Sequence, residues 1–198
     1  MRQKIKSISL ASIMVMSVMS TLLIASVTVS AGTVVITEAV QIVDGGTSTD
    51  SQVGVASDSE GNVHVIWVRN NLHLYYSMLS PRGETLIDAT QISSAGLHKI
   101  WHPDMVIDSN DKVHIVWADR AGQHKIMYTA LSPWNAPMDG QASDDGTLTV
   151  IDDTTISMRS QNRDWPSIAL DSQNNVHIAW EDNYDELGRF YNQPQIYY

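Results

Sequence analysis

The sequence predicts an all-β chain made of about three repeated four-stranded sheets, and three observations carry that expectation. A ten-residue segment, Asp58 to Trp67, recurs as Asp108 to Trp117 and as Asp171 to Trp180, with its histidines 50 and then 63 residues apart. Within each copy Val63, Val65 and Trp67 alternate with His64, Ile66 and Val68, the period of two that places the sets on opposite faces of a strand. There is no cysteine, which excludes disulfides, thiolate zinc sites and a cysteine nucleophile, so an apolar core must hold the fold. Four short strands per repeat of about 50 residues, with a tryptophan at a fixed place, form the pattern of a β-propeller blade.

The chain opens with a different chemistry. Arg2, Lys4 and Lys6 precede 22 uncharged residues from Ile8 to Val29, and Val29-Ser30-Ala31 ends them with small side chains. A basic region, an apolar run and a small-residue cleavage site, in that order, predict a signal peptide over residues 1–31 and a mature start at Gly32. Such a run is also long enough to span a bilayer as an anchor, but its many Ser and Thr residues favour cleavage. Secretion or attachment at the cell surface is therefore expected, with no membrane contact after cleavage. Nine basic residues then face 22 acidic ones, a net charge of −13, which repels nucleic acid and anionic membrane surfaces.

Residues 32–198 hold the repeats. Residues 33–42 resemble the outer strand of a repeat, and the repeat cores cover about residues 53–92, 103–156 and 166–198. Each opens on a short apolar segment: Val53 to Ser57, Pro103 to Ile107, Pro166 to Leu170. Small residues on one face (Gly54 and Ala56, Ser167 and Ala169) suit a crowded innermost strand, with Asp104 a bulkier exception. A turn follows in which Asp58, Asp108 and Asp171 accept backbone N–H bonds, while Gly61, Asp111 and Asn174 take a left-handed conformation. The His and Trp strand comes next, then a tyrosine strand ending at Tyr76, Tyr128 or Tyr198. Ile87 to Ile92 and Ile151 to Ile156 supply the outermost strand, and an insertion around Trp134 to Asp145 lengthens the second repeat.

The stretches Pro103–Trp117 and Pro166–Trp180 share Pro-x-[Ile/Met]-[Ala/Val]-[Leu/Ile]-Asp-Ser and Val-His-Ile-x-Trp. On those residues the chain resembles secreted propellers of the sialidase-like, bacterial neuraminidase repeat type, over nearly all of residues 33–198. The resemblance implies the blade fold and an extracellular role. The Asp-box is non-standard: Trp67 follows Asp58 by nine positions, a longer step than in Ser-x-Asp-x-Gly-x-x-Trp. The Arg-Ile-Pro motif is absent, with Arg163-Asp164-Trp165-Pro166 only an echo of it.

Three groups of side chains bear on function. His64, His114 and His177, with Asp58, Asp108, Asp171, Trp67, Trp117 and Trp180, recur once per repeat. Residues so spaced do not converge on one metal ion, and a hydrogen-bond network repeated in each sheet is the simpler expectation. Asp182, Asp185 and Glu186 place hard oxygen donors together in an acidic segment that suits calcium or plain solvation, without the spacing of an EF-hand; Asp119 lies at the place of Asp182. No other cofactor is indicated. His98, Trp101 and His102, with Arg159, Arg163, Asp164 and Trp165, lie just before the inner strands, where loops would rim a central channel. An apolar ring beside His, Arg and Asp makes a sugar platform; the alternative is that both tryptophans pack over the sheet ends.

These residues favour an exported, non-catalytic module that binds a glycan or protein ligand. A sialidase-like glycoside hydrolase or a propeller polysaccharide lyase is the alternative. Three repeats are fewer than the four to eight of a closed propeller. The expected partners therefore include the remaining blades of a longer chain or a second copy.

Overall fold

A computed structural model describes residues 21–24, 27–30, 33–36, 39–44, 46–94, 99–121, 124–132, 149–150, 154–157, 163–184 and 190–198. The fold is all-β, with no helix among these residues. Near the N-terminus, β1 (Thr21–Ile24) pairs with β4 (Val40–Asp44), and β2 (Val27–Ser30) forms a hairpin with β3 (Thr33–Ile36). Residues 33–42, read as one outer strand, are thus divided between β3 and β4.

Three antiparallel sheets follow in chain order. The first runs β5 (Asp50–Ser57), β6 (Val63–Arg69), β7 (His73–Leu79) and β8 (Thr85–Gln91), each strand bonded to the next. The second runs β9 (Ile100–Ile107), β10 (Val113–Asp119) and β11 (Lys125–Ser132), with β12 (Thr149–Val150) and β13 (Thr154–Thr155) both on the outer side of β11. The third runs β14 (Arg163–Leu170), β15 (Val176–Tyr184) and β16 (Phe190–Tyr197). The first two sheets close their outer strand alike. Ile92 N–H donates to the Leu74 carbonyl at 2.9 Å and Ile156 N–H to that of Ile126 at 3.0 Å. Ser93 Oγ and Ser157 Oγ accept the amides of Leu74 and Ile126, both at 3.1 Å.

Alternation along the second strand of each sheet decides how the sheets stack. Ile66 and Val68 of β6, with Leu74, Tyr76 and Met78 of β7, form one apolar cluster with Val113, Ile115 and Trp117 of β10. The opposite face of β10, Val116 and Ala118, packs with Val176, Ile178 and Trp180 of β15. The first and second sheets therefore each bury their histidine face under the tryptophan face of the next. The tryptophan face of the first sheet, Val65 and Trp67, is covered by Val40, Ile42 and Val43 of β4. The short strand β4 does for the first sheet what a preceding sheet does for the others.

The first strand of every sheet carries a bulge at one place. Residues 52–53, 102–103 and 165–166 interrupt the register opposite Trp67, Trp117 and Trp180. Gln52, His102 and Trp165 there have φ of 54°, 50° and 51°, a left-handed conformation that costs a residue with a Cβ about 1–2 kcal/mol. The residues around Trp101, His102, Asp164 and Trp165 were expected as loops before the inner strands; they are the opening residues of β9 and β14 themselves. Pro103 and Pro166 do not mark the strand starts because each occupies a bulge, where the ladder asks for no N–H.

Candidate functional site

The repeated polar residues form one network per sheet. Asp58 Oδ1 accepts the amides of Glu60 and Asn62 at 3.0 and 2.8 Å, and its Oδ2 meets His64 Nε2 at 3.3 Å. His64 Nδ1 lies 2.9 Å from Tyr76 Oη. Asp108, His114 and Tyr128 repeat the chain at 3.4 and 2.7 Å. Asp171 and His177 repeat it at 3.4 Å, and His177 Nδ1 bonds Tyr198 Oη. Gly61, Asp111 and Asn174 turn the chain with φ of 81°, 59° and 63°.

Burial sets the proton affinity of this network. Desolvation holds His64 and His114 below the ordinary histidine value, against the opposing pull of Asp58 and Asp108. Burial alone would raise Asp58 and Asp108. The bonds from Asn62 and His64, and from Lys112, Asn110 and His114, outweigh it and hold both below the ordinary carboxylate value. The histidines are thus neutral and the aspartates ionised near neutral pH, each group fixed by its neighbours. This network holds turns to strands and leaves no group free for chemistry.

A second cluster lies at the bulges. His102 Nδ1 is 2.9 Å from Asp164 Oδ1, and the His102 and Trp165 rings stack with centroids 3.6 Å apart at 19°. Arg120 binds Asp164 Oδ2, and its guanidinium lies 4.6 Å from the centre of the Trp101 ring, a cation–π distance. The His102 amide donates to Gln52 Oε1 at 2.6 Å, so the three bulge residues touch in series across three sheets. A depression of about 370 Å³ opens beside them, lined by Gln52, Val53, His102, Pro103, Asp104, Trp165 and Pro166. Trp165 keeps 58% of its surface exposed there. Desolvation, helped by the charge of Arg120, lowers His102 below the ordinary histidine value, so a neutral imidazole donates Nδ1–H to Asp164. Asp104 accepts Ser167 Oγ–H and the Ile168 amide through Oδ2, both at 3.1 Å. That ties the inner strands of two sheets together and accounts for a large residue among small ones.

Of the residues singled out from the sequence, Trp101, His102, Asp164 and Trp165 meet in this cluster. Arg163 falls in β14 beside it, and His98 and Arg159 lie outside the described residues. Gln52 and Arg120 are additions that sequence reasoning passed over. Gln52 was legible in principle, since it occupies the repeat position of His102 and Trp165. Arg120 carries no repeat signal.

The acidic segment differs from expectation. Asp119 and Asp182 are buried rather than solvated, because both are held in strands, at the end of β10 and within β15. Asp119 Oδ1 accepts the amides of Lys99 and Ala121 at 3.2 and 2.8 Å. Asp185 and Glu186 lie outside the described residues, and among those described no three metal-ligating side chains come together. At the position of Asp119 the first sheet has Arg69, which grips Asp50 through two bonds of 2.8 and 3.1 Å.

No protein-family model matches the chain, and no curated protein matches it.

Proposed function

We propose that the three stacked sheets are consecutive blades of a β-propeller exported to the cell surface or beyond, and that the module binds glycan without transforming it. The observation that carries this reading is Trp165. It is a large ring held flat by stacking on His102, left mostly in solvent, and set in a depression with apolar walls of Val53, Pro103 and Pro166. Sugars offer an apolar face to such a ring and hydroxyls to neighbours such as Gln52 and His102. Behind the ring Asp164 holds both His102 and Arg120. They fix the platform rather than wait for a proton.

Glycan-array binding followed by calorimetry tests the proposal. Trp165→Ala is expected to weaken binding about 30-fold, roughly 2 kcal/mol, as for an aromatic hot spot, with an unchanged melting temperature because the ring is exposed. Equal affinity in the variant would remove the platform from the argument.

The His102–Asp164 pair favours one second reading, a sialidase-like hydrolase or polysaccharide lyase, since a carboxylate-oriented imidazole is what general acid–base chemistry uses. Turnover of fluorogenic sialosides or acidic polysaccharides that disappears in Asp164→Asn would establish it. Export has its own test. Sequencing the N-terminus of the exported protein is expected to give Gly32, whereas recovery of Met1 in the membrane fraction would mean an anchor.

A further inference from the structure

Apolar packing is only half of what joins one sheet to the next. At each junction the turn serine of one repeat meets the left-handed turn residue of the following repeat. Ser59 donates its amide to Asp111 Oδ1 at 2.8 Å and its hydroxyl to Oδ2 at 2.7 Å. Ser109 donates its amide to Asn174 Oδ1 at 3.3 Å, and Asn174 Nδ2 donates to Ser109 Oγ at 2.6 Å. Asp and Asn are the two side chains that both tolerate the left-handed backbone and reach back with an oxygen. The turn position therefore carries two functions at once.

The third repeat has the donor half of this contact and, among the described residues, nothing on it. Ser172 is exposed. On the histidine face of the same sheet Ile196 is 72% and Tyr198 82% exposed, although Leu74 and Tyr76 at the same places of the first sheet are fully buried. The His177 network, whose two counterparts are covered by a following sheet, stands partly open.

We infer that this face docks a further sheet of the same repeat type, one bearing Asp or Asn at the turn position of Asp111 and Asn174. Continuity with the two junctions already in the chain identifies the occupant. A tryptophan face covers Ile196 and the His177 network, and the turn carboxylate or amide takes Ser172. A second copy of this chain does not meet those terms. Its first repeat has Gly61 at the turn, with no side chain to offer, and its Trp67 face is already covered by Val40, Ile42 and Val43. Glu181 replaces Val68 and Ala118 at the matching strand position, so the incoming sheet is expected to present a polar or basic residue there.

The test is hydrogen exchange on the 198-residue chain and on a form extended beyond Tyr198 by a copy of residues 77–157, which continues from Tyr76. The extension supplies an outer strand and a second-type repeat with its aspartate. Exchange of the Ser172 amide, the counterpart of the Ser59 amide that Asp111 accepts, is expected to slow at least tenfold. Asp111→Gly made in the appended copy alone should abolish most of that protection. Unchanged exchange, or equal protection with glycine, overturns the inference. So does a discrete dimer of the unextended chain in which that amide is protected. If the appended copy does not fold, the native junction still decides: Asp111→Gly in the 198-residue chain must speed exchange of the Ser59 amide, and failure to do so defeats the turn contact itself.

Discussion

Trp117→Ala is expected to lower stability by about 3–5 kcal/mol, the range for removing a buried aromatic side chain. Trp117 is fully buried between the first two sheets, in one cluster with Ile66, Tyr76 and Met78. No protein group accepts its indole N–H, so its contribution is packing alone. Trp117→Phe should therefore lose clearly less than the alanine variant. Trp180 makes the internal control: it packs on the second sheet but is only partly buried, and its alanine variant should lose less. Urea titration of the three variants reads the order directly. Equal losses at Trp117 and Trp180 would contradict the stacking described above.

The second large effect is expected at Asp58. One carboxylate there accepts two backbone amides, the Asn62 side-chain amide at 2.8 Å and His64. Asp58→Ala leaves those donors stranded in a buried turn, at a cost on the order of 3 kcal/mol. The same residue occurs three times with side-chain exposures of 0%, 8% and 36% at Asp58, Asp108 and Asp171. The loss should fall in that order, because water replaces the missing partner only where it reaches.

Acid acts on the same groups in two stages. His64 and His114 bind protons less readily folded than unfolded, where the ordinary value is 6.5. The unfolded chain then takes up more protons below about pH 6.5, and stability declines as pH falls. Asp58 and Asp108 lie below their ordinary 3.8, so their contribution is lost only below that value, as pH falls through their folded range. Melting temperatures measured from pH 7.5 to pH 3 should show both declines. His64→Phe should remove part of the first and, because His64 helps hold Asp58 low, weaken the Asp58 share of the second while sparing that of Asp108.

Much of the repeat was legible from residue order. Period-two alternation around His64, His114 and His177 marks a strand covered on both faces, and the Asp-to-Gly, Asp-to-Asp and Asp-to-Asn turns announce a left-handed residue. The start of the inner strand was not legible. Pro103 and Pro166 look like boundaries to any reading based on hydrogen-bond supply, and only the bulge explains their presence inside β9 and β14. Arg120 was hidden for another reason. Its partners Asp164 and Trp101 come from two different sheets, and a contact of that range leaves no trace in local spacing.

The bulge has a consequence for how this surface can vary. It withdraws two residues from the ladder at one site in each sheet, so the side chains of Gln52, His102 and Trp165 are specified by neither strand pairing nor core volume. Three adjacent positions then accept a glutamine, a histidine and a tryptophan on one and the same backbone. A frame of that kind separates the choice of these side chains from the pairing of the strands. Substitutions at those three positions are expected to leave the strand register intact, provided that each tolerates the left-handed backbone and replaces the contacts among Gln52, His102, Trp165 and Asp164.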